Sequence, residues 1–395
     1  MIVVLFVLTF LESIAATLIQ RGVYFYTHEN LGFSQSQNLW IAFGFGVTYV
    51  GGAFVSHSLS KRFGERVVLL GCILGLLVCH SLLALVPAAS MLVTAVFGTA
   101  VLQGIKWPVV ESYVSAGRPP KELLGLLSRY NVTWATAGFV AIGVTGVIVG
   151  TGVPALFFWF PALLNVGALL LTLKLPAQPQ HLEHSHPERP AAGELRHLRG
   201  LLGSARWSMT GSYALFYVLA PLMPSLLAQL ELPVTLATPV ASILDGVRVI
   251  TFGALGALAG WHGKRLPMWL TLVALPCGFL LILLGHSLAL LITGEVVFGV
   301  AAGFAYTSSL YYALVAENAS VDAGAAHEGL IGIGLGLGPL SGLAGELLIG
   351  QRLPFAHSGQ GLPPFAALAL TTLPIMGLCV FGALRSLLRL PGRLA

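Results

Sequence analysis

Gln103, Lys106, Trp107 and Glu111 bring an amide, an ammonium, an indole and a carboxyl onto one otherwise apolar stretch. Gln103, Trp107 and Glu111 follow i, i+4, i+8, and Lys106 sits beside Trp107 on the same broad helix face. That stripe suits a polar or anionic solute. Glu12 lies ten residues into another apolar run, roughly 15 Å along a helix at 1.5 Å per residue. A carboxylate so deep in an apolar medium is costly unless paired, hydrated or protonated. It reads as a proton carrier or solute contact, or else as a carboxyl bonded to a neighbouring helix, with Lys106 neutralising either Glu12 or Asp245. Asp245 and Arg248 are three apart, neighbours on one face, either a pair that neutralises itself or one that opens when a solute or proton arrives. Glu295, Gly299, Ala302 and Tyr306 form a further stripe that turns Glu295 and Tyr306 to one side, whereas Tyr311 and Tyr312 read as packing.

The elements that must hold these residues follow from composition. Of 395 residues, 56% are hydrophobic and 9% charged, and the apolar runs are continuous over about 20 residues, the length that crosses a bilayer core about 30 Å thick as a helix. Gly, Pro and charge punctuation predicts twelve spans, near 2–26, 36–59, 67–86, 90–114, 124–149, 153–174, 207–230, 235–260, 266–286, 288–314, 326–349 and 363–386. The expectation is an all-α integral membrane protein with an N-terminal bundle over 1–174, a polar linker over 175–206 and a C-terminal bundle over 207–395. Of the 20 Lys and Arg residues, Arg21 and Arg352 fall toward one side, and Lys106 and Arg248 lie within spans. All the others fall on the opposite side, which places both termini in the cytoplasm. The net charge of +5 therefore reports orientation and gives no reason to expect nucleic acid. Glu12 and the lack of a basic start argue against a cleaved leader. The four cysteines lie within apolar runs and suggest no disulfide framework.

An internal repeat supports two related halves. An offset of 199 pairs HSLSKRFGER, residues 57–66, with GALAGWHGKR, residues 256–265. Leu59 meets Leu258, Gly64 meets Gly263, and Arg66 meets Arg265. The same offset pairs Gly104 with Gly303, Trp107 with Tyr306 and Tyr113 with Tyr312. Through these loops the chain resembles the major facilitator superfamily over essentially its whole length, since the family's GxLaDRxGR(K/R) motif belongs between spans 2 and 3 and between spans 8 and 9. The copies are degraded. His57 replaces a Gly, and Lys61 and Gly260 replace the family's Asp; Arg62 and Gly64 are kept in the first copy, Gly263, Lys264 and Arg265 in the second.

The resemblance implies twelve transmembrane helices in two pseudo-symmetric six-helix bundles, with spans 1, 4, 7 and 10 lining a central cavity and spans 3, 6, 9 and 12 outermost. The outer spans carry no ionisable group at depth except His80 and the terminal Lys174, in keeping with that placement. The resemblance also gives Lys61, Arg62, Gly64, Arg66, Gly263, Lys264 and Arg265 an expected part in gating.

Together these readings predict a secondary transporter, not an enzyme, without cofactor or metal. It would move a small organic solute by alternating access as a functional monomer in the plasma (inner) membrane, coupled to protons through Glu12, Glu111, Asp245 and Glu295. Alternatives are a drug or metabolite efflux antiporter and, more distantly, a membrane-embedded receptor or enzyme. The glycine series Gly334, Gly338 and Gly342 is expected to pack helices. His181, His184 and His186 fall in the linker, which reads as a flexible tether. No nucleotide-binding, metalloprotease or nucleophile-elbow motif occurs.

Overall fold

A computed structural model describes residues 2–86, 88–115, 120–179, 192–316, 321–349 and 364–390. Among them, twelve helices are long and apolar enough to cross a membrane, and they match the expected spans. They are α1 (Ile2–Leu31), α2 (Gln35–Phe63), α3 (Glu65–Leu85), α4 (Ala89–Ser115), α5 (Pro120–Gly150), α6 (Pro154–Thr172), α7 (Ala192–Gln229), α8 (Val234–Ala257), α9 (Leu266–Leu284), α10 (Leu288–Ala316), α11 (Val321–Leu348) and α12 (Pro364–Leu388).

Local chemistry sets several boundaries. Ser34 caps α2 by accepting from the Gln37 backbone at 3.3 Å, while the Gln37 side chain accepts from the Ser34 backbone at 2.8 Å, so two orphan amides are satisfied reciprocally. Gly32 takes φ +62° at the end of α1, a conformation that glycine adopts without steric cost. Pro108 stands inside α4 without ending it. The expected linker needs correction: its last part, 192–206, is already helix and continues into α7. Its three histidines lie outside the described residues.

The outer helices present apolar surface. Leu74 and Val78 on α3, Leu163 and Leu170 on α6, Val273 on α9, and Leu378 and Phe381 on α12 are all exposed, as lipid-facing residues should be. His80 is the exception on α3, since it is turned inward and buried. The two halves, α1–α6 and α7–α12, meet along α5 against α8 and along α2 against α11. A Cβ on Gly146 of α5 would come within 2.2 Å of the Val234 carbonyl oxygen of α8, so glycine is what permits that approach. The Ser128 hydroxyl of α5 donates to the Phe252 carbonyl of α8 at 2.9 Å, tying the opposite end of the same helix pair. Gly334 and Gly338 of α11 meet α7 backbone at Thr210 and Ala214, the packing role expected of that series.

The repeat is visible as geometry. In the turn after α2, Arg66 donates to the Leu175 carbonyl oxygen at 3.0 Å, just beyond α6. In the turn after α8, Arg265 donates to the Leu390 carbonyl oxygen at 3.3 Å, just beyond α12. Tyr113 donates to the Pro176 carbonyl at 2.8 Å, and Tyr312 accepts from the Gly263 amide at 3.1 Å. In each half an Arg ties the motif turn to the segment after the sixth helix; Tyr113 binds that segment in the first half, whereas Tyr312 binds the turn itself in the second. Gly64 and Gly263 both hold positive φ in these turns.

Candidate functional site

A cavity of about 100 Å³ lies between the halves, room for several waters or a small solute. Four of the sequence-predicted residues line it: Trp107, Asp245, Arg248 and Tyr306. Trp107 and Tyr306, equivalent by the repeat, thus face one space from opposite halves.

The electrostatic centre of the cavity includes a residue that the sequence reading had placed elsewhere. Arg21, expected toward one side of the membrane, instead occupies a π-helical turn, Leu18–Gly22, inside α1 and lines the cavity. A π turn inserts a residue into the α-helical register and often marks a functional site. The charge pattern favoured an edge position for Arg21 because its partner is remote in sequence: its Nη1 lies 2.6 Å from Asp245 Oδ2. Arg248 Nη1 is 3.5 Å from Asp245 Oδ1. Asp245 therefore joins the halves and also touches its own helix neighbour, so one carboxylate stands between two guanidinium groups.

Aromatic faces surround these cations. Arg21 lies 4.4 Å from the centre of the Phe216 ring, and Arg248 lies 4.6 Å from that of Trp134. Trp134, Phe252 and Tyr306 pack ring against ring, with the Trp134 and Tyr306 centroids 5.1 Å apart. Tyr213 and Tyr217 complete the wall on α7. Ring faces favour a cation, and more so where water is excluded. The arginines are thereby held in place with donors available to an anion. Trp134, Tyr213 and Tyr217 carry no charge and look like ordinary aromatic residues of apolar helices, although Tyr213 and Tyr217 stand four apart on one helix face.

Glu12, Lys106 and Gln103 do not line the cavity. Lys106 Nζ sits 2.7 Å from Glu12 Oε2, with both side chains fully buried, so the local pairing alternative describes their geometry. Asn165 of α6 donates to Glu12 Oε1 at 2.7 Å, and its own oxygen lies 2.7 Å from His80 Nδ1 of α3. Lys106, Glu12, Asn165 and His80 thus link α4, α1, α6 and α3 inside the N-terminal half. The Lys106 ammonium also meets the Trp107 ring, 4.2 Å from its centre, which connects this chain of contacts to the cavity wall. Gln103 is buried, and neither of its amide atoms has a hydrogen-bond partner among the described residues.

Glu295 is buried off the cavity on α10. Glu111 is buried too, and it lies against Glu328 of α11. Glu328 lines the cavity, although nothing in the sequence had singled it out. Glu346 of α11 is half-buried and accepts from Gln35 at 2.9 Å. Lys61, Arg62 and Lys264 are exposed, with Arg62 lying over the Phe63 ring.

The family model described as Major Facilitator Superfamily matches residues 2–343. The chain belongs to the major facilitator superfamily. No curated protein matches it. Among solved structures, the superfamily fold recurs in the human organic anion transporter MFSD10, at 16% identity and a TM-score of 0.69, covering 97% of this chain and 98% of that one. It recurs also in the nucleoside transporter NupG, at 16% identity and a TM-score of 0.67, covering 98% of each chain. A bacterial homologue of the human lysosomal transporter Spinster, inward-facing and unoccupied, aligns at 16% identity and a TM-score of 0.68, covering 98% of this chain and 94% of that one. These likenesses are of fold. Within the superfamily architecture, the arginine-and-aromatic cavity lies where the two bundles meet.

Proposed function

We propose that this superfamily member is a proton-coupled secondary transporter of a small organic anion, working by alternating access between its two halves. The observation that carries the anion reading is the placement of Arg21 and Arg248 around one carboxylate, Asp245, in an aromatic-walled cavity at the junction of the halves. Two guanidinium groups offer forked donors to a carboxylate-like ligand, and in this structure Asp245 occupies the position of such a ligand. A solute anion would take over that coordination and release the bond between the halves, which links binding to rearrangement.

On this reading Trp107, Tyr306, Arg21 and Arg248 contact the solute, and Asp245 forms the charge lock by occupying both arginines when the solute is absent. Glu12, Lys106 and Gln103 act behind the wall to hold α1 and α4 in register. The turns containing Lys61, Arg62, Gly64 and Arg66, and Gly263, Lys264 and Arg265, act in gating, on the cytoplasmic side that the Lys and Arg asymmetry favours.

The test is binding and flux with purified protein. Trp107 and Trp134 line the cavity, so their fluorescence should respond to benzoate or acetate and not to benzamide or benzylamine. In proteoliposomes, an imposed pH gradient should drive uptake of the carboxylate that binds. Equal response to the amide and the carboxylate would remove the anion reading, and equal flux with and without the gradient would remove the coupling.

A further inference from the structure

The cavity wall carries a second acidic site that the arginine lock leaves unused. Glu328 of α11 is buried and accepts a hydrogen bond from the Tyr49 hydroxyl of α2, in the opposite half. The Glu111 carboxyl of α4 lies against it, and no donor reaches either Glu111 oxygen among the described residues. Glu111 Oε2 lies 3.1 Å from where a Cβ on Gly324 would stand, so the bare backbone there leaves room for the carboxyl. The titratable groups facing the pair are Tyr49 on α2, Tyr130 on α5, Tyr213 on α7 and Tyr306 on α10. His327, next to Glu328 in sequence, is buried against Tyr306 and Ser309. Arg248 faces Tyr213. Among the described residues neither carboxyl forms an ion pair.

Two ionised carboxyls in contact, with no cation between them, repel strongly where water is scarce, so such a pair holds a proton between its two groups. A second proton would neutralise it. Glu328 and Tyr49 line the same cavity as Arg21 and Arg248, so this change of one charge is felt by the solute. We propose that the Glu111–Glu328 pair, capped by Tyr49, is the coupling site, taking up one proton with each monovalent anion that enters the arginine cavity. This deepens the anion reading above and rests on it.

The balance is simple. The proton leaves water and forms one O–H bond on the carboxyl pair, adding a positive unit. The monoanion leaves water and adds a negative one. The loaded and empty cavities then carry the same charge, so neither form pays for an extra uncompensated charge in the low-dielectric interior. Transport is one proton to one monoanion and electroneutral. Because the pair bridges α4 and α11 and Tyr49 binds from α2, the same proton sits at the contact between the halves.

The experiment measures benzoate affinity across a pH series by tryptophan fluorescence, in wild type, Glu111→Gln and Glu328→Gln. One linked proton makes wild-type affinity fall by about tenfold per pH unit above the titration of the pair. Each Gln variant leaves a single carboxylate with no like charge beside it to hold a proton, so it should remove that slope and keep affinity near its weaker, high-pH value. In parallel, the infrared carbonyl band of protonated carboxyl, read on ligand-free protein in water and deuterium oxide, should lose intensity in both variants. A flat wild-type profile, or a wild-type slope kept by both variants, overturns the proposal. If benzoate fails to bind the wild-type protein, the anion reading falls, and the proton site is then judged by the carboxyl band alone: unchanged intensity in both variants rejects it.

Discussion

Arg21 of α1 and Asp245 of α8 are 2.6 Å apart across the junction of the two halves, though 224 residues separate them in the chain. Arg248 touches the other oxygen of the same carboxylate. The cavity's chemistry is therefore shared between the bundles, and neither half holds it alone.

Removing either guanidinium should weaken anion binding. A hydrogen bond to a charged group contributes about 1.5–3 kcal/mol, so Arg21→Gln and Arg248→Gln should each raise the benzoate Kd by about tenfold or more. Titration of tryptophan fluorescence checks this, with benzamide as the uncharged control.

Asp245→Asn should act in the opposite direction on binding. It removes the internal carboxylate that competes for both arginines, so benzoate should bind more tightly while flux in proteoliposomes falls, because the lock no longer re-forms after release. Weaker binding in this variant would show that Asp245 positions the arginines and does not compete with the solute.

The Glu12–Lys106 pair should report on stability first. Breaking a buried ion pair by removing one partner costs about 3–5 kcal/mol, so Glu12→Gln and Lys106→Met should each lower the Tm markedly, and the double variant should recover part of the loss. A wild-type Tm with abolished transport in Glu12→Gln would return this pair to the solute or coupling role that the sequence suggested.

The motif turn gives a backbone test. Gly64 holds φ +83° and ψ 148°, a region that is essentially glycine's own, and side-chain-bearing residues placed there pay about 1–3 kcal/mol. Gly64→Ala should destabilise by that amount. Gly51, within α2 with open space around it, supplies the control: Gly51→Ala should be neutral or stabilising by about 0.5–1 kcal/mol. Thermal unfolding of both variants separates them.

Composition and periodicity were enough to read the twelve helices, the repeat and the family resemblance, because lipid demands long apolar runs and satisfied backbones, and because Arg66 and Arg265 keep matching anchoring tasks. Trp107, Asp245, Arg248 and Tyr306 were legible for a similar reason: polar or aromatic groups at helical spacing in apolar helices face an interior. What the one-dimensional pattern could not settle was which helix faces meet. The π turn that carries Arg21 into the cavity shifts the helical register. The partner of Lys106 was one of two acids until tertiary packing placed Glu12 beside it. His80 belonged to an outer helix, yet packing turned it inward to Asn165. Glu328 stood at a helix end, and only the approach of α11 to α2 and α4 brought it to Tyr49 and Glu111. Sequence fixes which charges must be buried. Tertiary structure decides which of them share a site, because electrostatic partnership depends on distance in space and the partners here lie on different helices.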